Sequence, residues 1–139
     1  MKDTVVWNIE QGLRLSGMDV ARAEAKRTQL YHSVREFMGR YEFLILPVSQ
    51  VAPFPVETDW VREINGVVMK SYIDWMATCY AITLTGLPAI SVPCGFTNDG
   101  LPVGLQIVGR HQRDFDVLRL AYAFEQITQC GGIRPAVAI

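Results

Sequence analysis

A repeated glycine–leucine–proline segment most constrains the fold of this chain. One block runs over residues 86–95 and a second over 100–109; each opens with Gly-Leu-Pro and closes with glycine. Ala89–Val92 and Val103–Val108 have the apolar, β-branched composition of strands, and the Asn-Asp-Gly at 98–100 favours a reversal between them. The pattern predicts an antiparallel hairpin, in which glycine supplies unusual φ angles and proline fixes the start of each strand.

Prolines also limit the neighbouring strands. Because Pro93 has no N–H, the first strand of the hairpin should stop pairing there or lie at a sheet edge. Residues 43–46, Phe-Leu-Ile-Leu, form a continuous apolar run that stops at Pro47 and is typical of a strand buried on both faces. Residues 47–59 should form an irregular loop, and Asn65-Gly66 favours a two-residue hairpin turn.

Four segments show helical periodicity: residues 3–13, 16–40, 70–83 and 114–129. Ser16 and Asp19 match a capping box at the start of the second helix. The third segment is apolar on most sides, which predicts burial nearly all round. Asp114 is expected to cap the last helix, and Gly131-Gly132 to end it.

The apolar positions of the second and fourth helices predict which faces are buried. For the second helix the predicted stripe is Ala23, Leu30, Val34, Phe37 and Tyr41. For the fourth helix it is Val117, Leu118, Ala121, Phe124 and Thr128. Together with the strands, these helices predict an α/β fold in which residues 1–139 form one unit of helices packed on a mixed β-sheet.

Hydrophobic content, net charge and cysteine spacing argue against several classes of function. Half of the 139 residues are hydrophobic, which favours a piece of a larger fold over a compact domain with a rich core. The net charge of -1 argues against a nucleic-acid partner, and no apolar run is long enough for a membrane span. Three widely spaced cysteines indicate reduced thiols in a cytoplasmic protein, with no Cys-x-x-Cys pair for a metal. We expect no cofactor.

Four stretches together resemble the amidase-signature family. They are Tyr41–Pro47, Leu84–Pro93, Gly100–Gly109 and the helical segment Leu118–Glu125. The double Gly-Leu-Pro block is similar to the most distinctive C-terminal stretch of that family. The resemblance is strongest over residues 41–125 and extends more weakly back to Trp7.

The resemblance implies an enzyme that hydrolyses a carboxamide C–N bond through an acyl-serine intermediate. The family uses a serine nucleophile, a second serine in a cis peptide, a lysine and backbone N–H groups that hold the oxyanion, all in its N-terminal and central parts. Here the only lysines are Lys2, Lys26 and Lys70, and no Gly-Gly-Ser segment occurs. Lys70 and Ser71 are neighbours, but no oxyanion loop lies beside them. No catalytic residue is therefore assigned.

The sequence thus predicts the C-terminal fragment of an amidase, inactive alone. Its expected partner is the missing N-terminal part or a second copy, and a small amide would bind only in the intact enzyme. The alternative is a non-catalytic module, derived from an amidase, that associates with itself or with another chain. Thr83, where many members have asparagine, together with the stretch Tyr72–Trp75, mildly favours a plain amidase over the subunit that modifies glutamyl-tRNA.

Trp75, Met76 and Cys79 are the candidate substrate-binding residues. The resemblance implies that their helix borders the acyl pocket, where an apolar wall with one or two polar groups suits a small amide. The alternative is that all three are core packing, since aromatic residues at helical spacing usually face a core.

A third hypothesis, weaker than these two, is a thiol hydrolase that uses Cys94. His111 with Asp114 or Asp116 could complete a thiol–imidazole–carboxylate set, although the predicted hairpin leaves their separation open. The alternative is that Cys94 is a small buried hydrophobe. Other titratable side chains are interpreted as solvated: His32, Glu57, Asp59 and Glu63.

Overall fold

The computed structural model describes residues 1–134 as helices around a small sheet, which confirms the α/β class. The elements in chain order are α1 Asp3–Leu13, α2 Gly17–Arg40, β1 Phe43–Pro47, β2 Glu63–Ile64, β3 Val67–Val68, α3 Ala77–Thr85, β4 Ala89–Phe96, β5 Pro102–Gly109 and α4 Asp114–Thr128. Short 3-10 helices cover Asp74–Met76 and Cys130–Gly132. Part of the expected C-terminal tail, residues 135–139, lies outside the described residues.

The main sheet has the strand order β1-β5-β4, with both pairings antiparallel. The predicted hairpin is confirmed, and its strands are longer than expected: Ala89 pairs with Val108 at one end and Phe96 with Pro102 at the other. No parallel pairing occurs among residues 1–134, so this part of the chain does not supply the parallel component of a mixed sheet.

The turns and the strand irregularity lie at proline, asparagine and glycine residues of the sequence. β4 is an outer strand, as Pro93 requires, and its register shifts between Pro93 and Gly95. Asn65 (φ 49°) and Gly66 (φ 79°) form the predicted reversal between β2 and β3. Gly86 (φ 68°) ends α3, and its N–H donates to the carbonyl of Thr83 at 3.3 Å.

The hydrophobic core lies between α4 and one face of the sheet. Its buried members are Val92, Ile107, Val117 and Ala121. Close approach of α4 depends on Gly109, because a Cβ there would overlap Cγ2 of Val117. The small residue at the end of β5 therefore allows the helix to pack directly on the strand.

The start of α2 is as predicted, but its buried face is not. The capping box of Ser16 and Asp19 is present, and the Asp19 N–H donates to the Ser16 hydroxyl oxygen at 3.2 Å. The one buried residue of the helix is Met38, whereas Leu30 and Phe37 of the predicted stripe are each 37% exposed. Within residues 1–134 no helix is both long and apolar enough to cross a bilayer.

The third predicted helix begins later than expected. Residues 70–73 are not α-helical, because the Asp74 carboxylate accepts hydrogen bonds from the N–H groups of Lys70 (2.7 Å) and Ser71 (3.1 Å). Such side-chain contacts compete with helical hydrogen bonds. Burial all round was also wrong, because Tyr80 is 40% and Leu84 43% exposed.

Two details of α4 and one of β1 also differ from the predictions. Arg113, without a side-chain hydrogen bond, occupies the N-cap position of α4, and Asp114 is the first helical residue. Leu118 is 54% exposed, because the helix turns it away from the sheet. Gln129 (φ 53°) is the C-cap of α4, before the glycines that were expected to end it. β1 is not buried on both faces, since Ile45 is 53% exposed.

Candidate active-site groove

An open groove runs between the loop after β1, the start of α3 and the β4–β5 hairpin. Two adjoining cavities of about 580 and 540 Å³ form it, and both include Val48 and Ser91 in their walls. We call this pair of cavities the 47–54 groove, after the loop segment that forms one wall. Its volume is of the size that binds small molecules.

Hydrogen bonds from α3 fix the loop wall of the groove. The Gln50 side-chain oxygen accepts from the N–H of Ala77, the first residue of α3. The Val48 carbonyl accepts from the Thr78 hydroxyl at 3.0 Å and from the Cys79 thiol at 3.2 Å. These hydrogen bonds hold the loop against the N-terminal end of α3, where the first backbone N–H groups have no partner within the helix. Gln50 was not predicted, because its hydrogen-bond partner lies 27 residues away in the sequence and leaves no local pattern.

The opposite wall is the hairpin, where the backbone approaches the loop closely. The Val48 N–H donates to the Gly104 carbonyl at 3.3 Å. A Cβ at Gly104 would lie 3.1 Å from Cγ2 of Val48 and 3.2 Å from the Ser91 hydroxyl oxygen. Gln106, 8% exposed, contributes a polar side chain to the wall of the second cavity. Neither Ser91 nor Gln106 was predicted, because both sit inside runs that show only a strand pattern.

Trp75 forms the aromatic part of the wall. Its ring packs edge-on against Phe54, with centroids 5.5 Å apart, and against Tyr72 at 6.2 Å. Its indole N–H is buried and has no hydrogen-bond partner among residues 1–134. Since buried indole N–H groups usually have an acceptor, this unsatisfied donor marks an incomplete environment.

Asp74 positions the turn that carries Trp75. Its carboxylate accepts from the Ser71 hydroxyl at 3.0 Å and from two backbone N–H groups of the same turn. The Ser71 hydroxyl is the main cause that lowers the pKa of Asp74 below 3.8, followed by the N–H of Lys70. Ser71 is therefore a structural hydrogen-bond donor to a carboxylate, and Lys70 does not line the 47–54 groove.

The three candidate substrate-binding residues occupy different places. Trp75 lines the first cavity and Cys79 the second. Met76 ends the 3-10 helix before α3 and lines neither cavity. These placements bring Trp75 and Cys79 to one groove; their role in binding stays a prediction.

The thiol, imidazole and carboxylate of the alternative hypothesis are not brought together. Cys94 lies at the turn end of β4, next to Gly95, which pairs with Val103 at the start of β5. His111 follows the other end of β5, and its ring packs against Tyr31 with centroids 5.6 Å apart. The hairpin register therefore separates the two groups by most of a strand length.

Taken together, the groove has the chemistry of a binding wall. Its lining side chains are mainly apolar, with hydroxyl, amide and thiol groups, and within the described part of the chain they include no lysine, histidine or carboxylate. A serine there has no neighbouring base to activate it. No set of three or more histidine, cysteine or acidic side chains within residues 1–134 is placed to hold a metal ion.

Comparison with known proteins gives matches along most of the chain. A family model described as Amidase matches residues 1–118. The chain is 38% identical over 135 residues to the acylamidase of Rhodococcus erythropolis, an alignment that covers 96% of this chain and 28% of that protein. It is 37% identical over 114 residues to one subunit of the glutamyl-tRNA(Gln) amidotransferase of Brevibacillus brevis, over 82% of this chain and 22% of its relative.

Solved structures show the same similarity in three dimensions. A bacterial aryl acylamidase of the amidase-signature enzymes superposes with a TM-score of 0.84 at 27% identity, over 95% of this chain and 27% of that one. A crystal structure of an amidase gives a TM-score of 0.81, also at 27% identity, over 92% of this chain and 29% of the other. The chain thus spans less than a third of the length of these relatives.

Proposed function

The chain belongs to the amidase family, and from that premise we propose that it supplies one wall of the substrate pocket of a carboxamide hydrolase. In this proposal residues 1–139 form a single unit, the C-terminal part of the fold. The nucleophilic serine, the lysine and the oxyanion-binding loop come from a complementary amidase segment. The chain alone does not hydrolyse amides.

The observation that carries the proposal is the composition of the 47–54 groove. It combines an aromatic wall at Trp75 with polar groups from Ser91 and Gln106, and among residues 1–134 no lysine, histidine or carboxylate lines it to accept a proton from a serine. A pocket of this kind can orient an amide and exclude water but cannot start acyl transfer. The apolar wall suits the acyl part of the substrate.

Thr83 supports a plain amidase over a tRNA-modifying enzyme. Its side chain lines the second cavity, and its hydroxyl donates to the Cys79 carbonyl at 3.2 Å. The position at which many members have asparagine thus holds a hydroxyl that bonds within α3. Threonine carries a methyl group in place of an asparagine amide, which favours an apolar substrate group.

A chimaera provides the direct test. The 135 residues of the Rhodococcus erythropolis acylamidase that align with this chain are replaced by the sequence of this chain. We expect the chimaera to hydrolyse 4-nitroacetanilide, whereas the isolated chain neither hydrolyses it nor forms an adduct with a serine-directed fluorophosphonate. An adduct on the isolated chain, or turnover that persists through purification, would contradict the proposal.

A pair of variants of the chimaera separates a pocket residue from an exposed one. Trp75→Ala should raise KM about tenfold, because it removes apolar surface from the groove wall. Tyr122→Ala, at a 64% exposed position of α4 outside the groove, should leave KM unchanged. Equal effects of the two substitutions would show that Trp75 has no specific part in binding.

A second candidate is a non-catalytic module that associates with itself. The supporting observation is the accessible surface of 10,300 Å², against about 7,000 Å² expected for a compact monomer of this mass. Sedimentation equilibrium of the isolated chain distinguishes the two functions. A monomer up to high concentration argues against the module, and a stable dimer together with an inactive chimaera favours it.

A further inference from the structure

The polar side chains that line the 47–54 groove fall into two groups. Those whose hydrogen bonds are made inside the protein are Ser49, Gln50, Cys79 and Thr83. Ser91 and Gln106 form the other group, since neither side chain has a hydrogen-bond partner within residues 1–134. The Trp75 indole N–H also has no partner there, but it is buried and out of reach of a ligand in the groove. The groove therefore has two polar side chains that are free to bind a ligand.

Ser91 and Gln106 lie next to each other in the middle of the groove, and we call them the 91–106 pair. They are direct partners in the register of β4 and β5, which places their Cβ atoms about 4.5–5.5 Å apart on one face of the sheet. Ser91 lines both cavities of the groove, and Gln106 lines the second. Because side chains alternate along a strand, this face is the opposite of the one on which Ile107 packs beneath α4.

The Gln106 side chain is the more enclosed member of the pair. It is 8% exposed, and its amide carries two N–H donors and a carbonyl acceptor. Its cross-strand partner in β1 is Leu46, whose side chain has no polar group. A buried amide without partners costs free energy, so a glutamine at this position of the central strand is explained when a ligand satisfies its amide.

The lining of the groove selects a neutral ligand group. In the part of the chain that the structure describes, no lysine, arginine, histidine or carboxylate lines it, so a charged group beside Gln106 would be uncompensated. A carboxamide matches the pair, because its carbonyl can accept from the Gln106 amide and the Ser91 hydroxyl while its N–H donates to the Gln106 oxygen. An alkyl group at the same place would leave both side chains unsatisfied.

We propose that the 91–106 pair binds a second carboxamide, carried by the acyl part of the substrate, beside the amide that is hydrolysed. The inference rests on the function proposed above and names its substrate class as neutral diamides. A site built to hydrogen-bond a substrate group discriminates against analogues that lack the group, because its own polar side chains are then left unpaired. Simple alkyl amides and amides with a terminal carboxylate are therefore the poorer substrates.

Three 4-nitroanilides with acyl arms of equal length test this substrate class in the acylamidase chimaera. The succinamoyl arm ends in a carboxamide, the pentanoyl arm in a methyl group and the succinyl arm in a carboxylate. We expect kcat/KM for the succinamoyl substrate to exceed that for each of the other two at least about tenfold. Gln106→Leu should remove most of this preference and Ser91→Ala should weaken it about threefold, because each substitution deletes a hydrogen-bonding group.

The matched control is Gln126→Leu, at an exposed position of α4 outside the groove, which should keep the full preference. Since the preference is a ratio measured on one sample, a partly unfolded variant does not change it. Preference for the pentanoyl or succinyl arm in the parent chimaera would overturn the proposal. A preference that Gln106→Leu leaves unchanged would overturn it too, because the glutamine would then serve the fold and not the substrate.

The outcomes separate this inference from the proposed function. An active chimaera without a preference for the succinamoyl arm refutes the diamide class and leaves the function standing. An inactive chimaera refutes the function, and the isolated chain then decides the inference by titration with succinamide in nitrogen–proton correlation NMR. The side-chain amide signal of Gln106, assigned by its loss in Gln106→Leu, should shift and saturate with succinamide but not with succinate, whereas the Gln126 signal should stay in place. A Gln106 signal that does not move would refute carboxamide binding.

Discussion

Replacement of Gly109 by alanine tests whether α4 packs directly on the end of β5. A Cβ at this position would overlap Cγ2 of Val117, which is 3% exposed. Val117 cannot easily turn away, because a β-branched side chain is stiff and this one is enclosed by the core. Overpacking of this kind costs about 1–3 kcal/mol, and the reduced freedom of the unfolded chain offsets about 0.4–1 kcal/mol.

The expected net loss for Gly109→Ala is about 1–2 kcal/mol of unfolding free energy, measured by urea denaturation. Val117→Ala alone should cost roughly 2 kcal/mol through its cavity, but in the double variant the new methyl group occupies the vacated space. The unfolding free energy lost in the double variant should therefore be smaller than the sum of the two single losses by about 1 kcal/mol. Gly39→Ala, with open space around its Cβ site, is the control and should not destabilise. Strict additivity of the two core substitutions would refute the close packing.

Three further changes test the turn chemistry and the rejected thiol hypothesis. Because hydrogen bonds lower the pKa of Asp74, its carboxylate stabilises the fold at pH values above 3.8, and this stabilisation is lost as the pH falls through the lowered pKa. Asp74→Asn should therefore make the free energy of unfolding depend less on acid pH, as monitored by circular dichroism, while Asp99→Asn should not. Gly86→Ala, at φ 68°, should cost about 1 kcal/mol by thermal melting, whereas Gly132→Ala should cost little. Cys94→Ala should leave amide turnover of the chimaera within about twofold of the parent, and a complete loss would revive the thiol mechanism.

Local chemistry explains which parts of the fold could be predicted. The Ser16 capping box, the Asn65-Gly66 turn and the β4–β5 hairpin each depend on residues close in sequence, and each appears in the structure. The error at the start of α3 also has a local cause, but a subtler one. Asp74 lies inside an apolar helical pattern, and its carboxylate captures the N–H groups that a helix starting at Lys70 would present.

The candidate site was only partly predictable. The family resemblance predicted a substrate-binding role for Trp75, and the side chain of this residue lies in the groove wall. Gln50, Ser91 and Gly104 gave no signal, because their part in the groove comes from contacts between the loop, α3 and the hairpin. Periodicity reports which residues share a face; it does not report which distant segment lies across from that face.

The same limit explains the wrong burial assignments on α2, α3, α4 and β1. Leu30, Phe37, Ile45, Tyr80 and Leu118 were expected to be buried because they stand at apolar positions of regular elements, and all are at least 37% exposed. The predicted helices and strands form, with a later start for α3, but the one buried residue of α2 is Met38, which lies outside the predicted stripe. The helices and strands carry more apolar surface than their neighbours within residues 1–134 cover. The accessible surface area accordingly exceeds the area expected for a compact monomer of this mass. Periodicity therefore marks which positions are apolar, and the exposure of these five side chains shows that no element within residues 1–134 covers them.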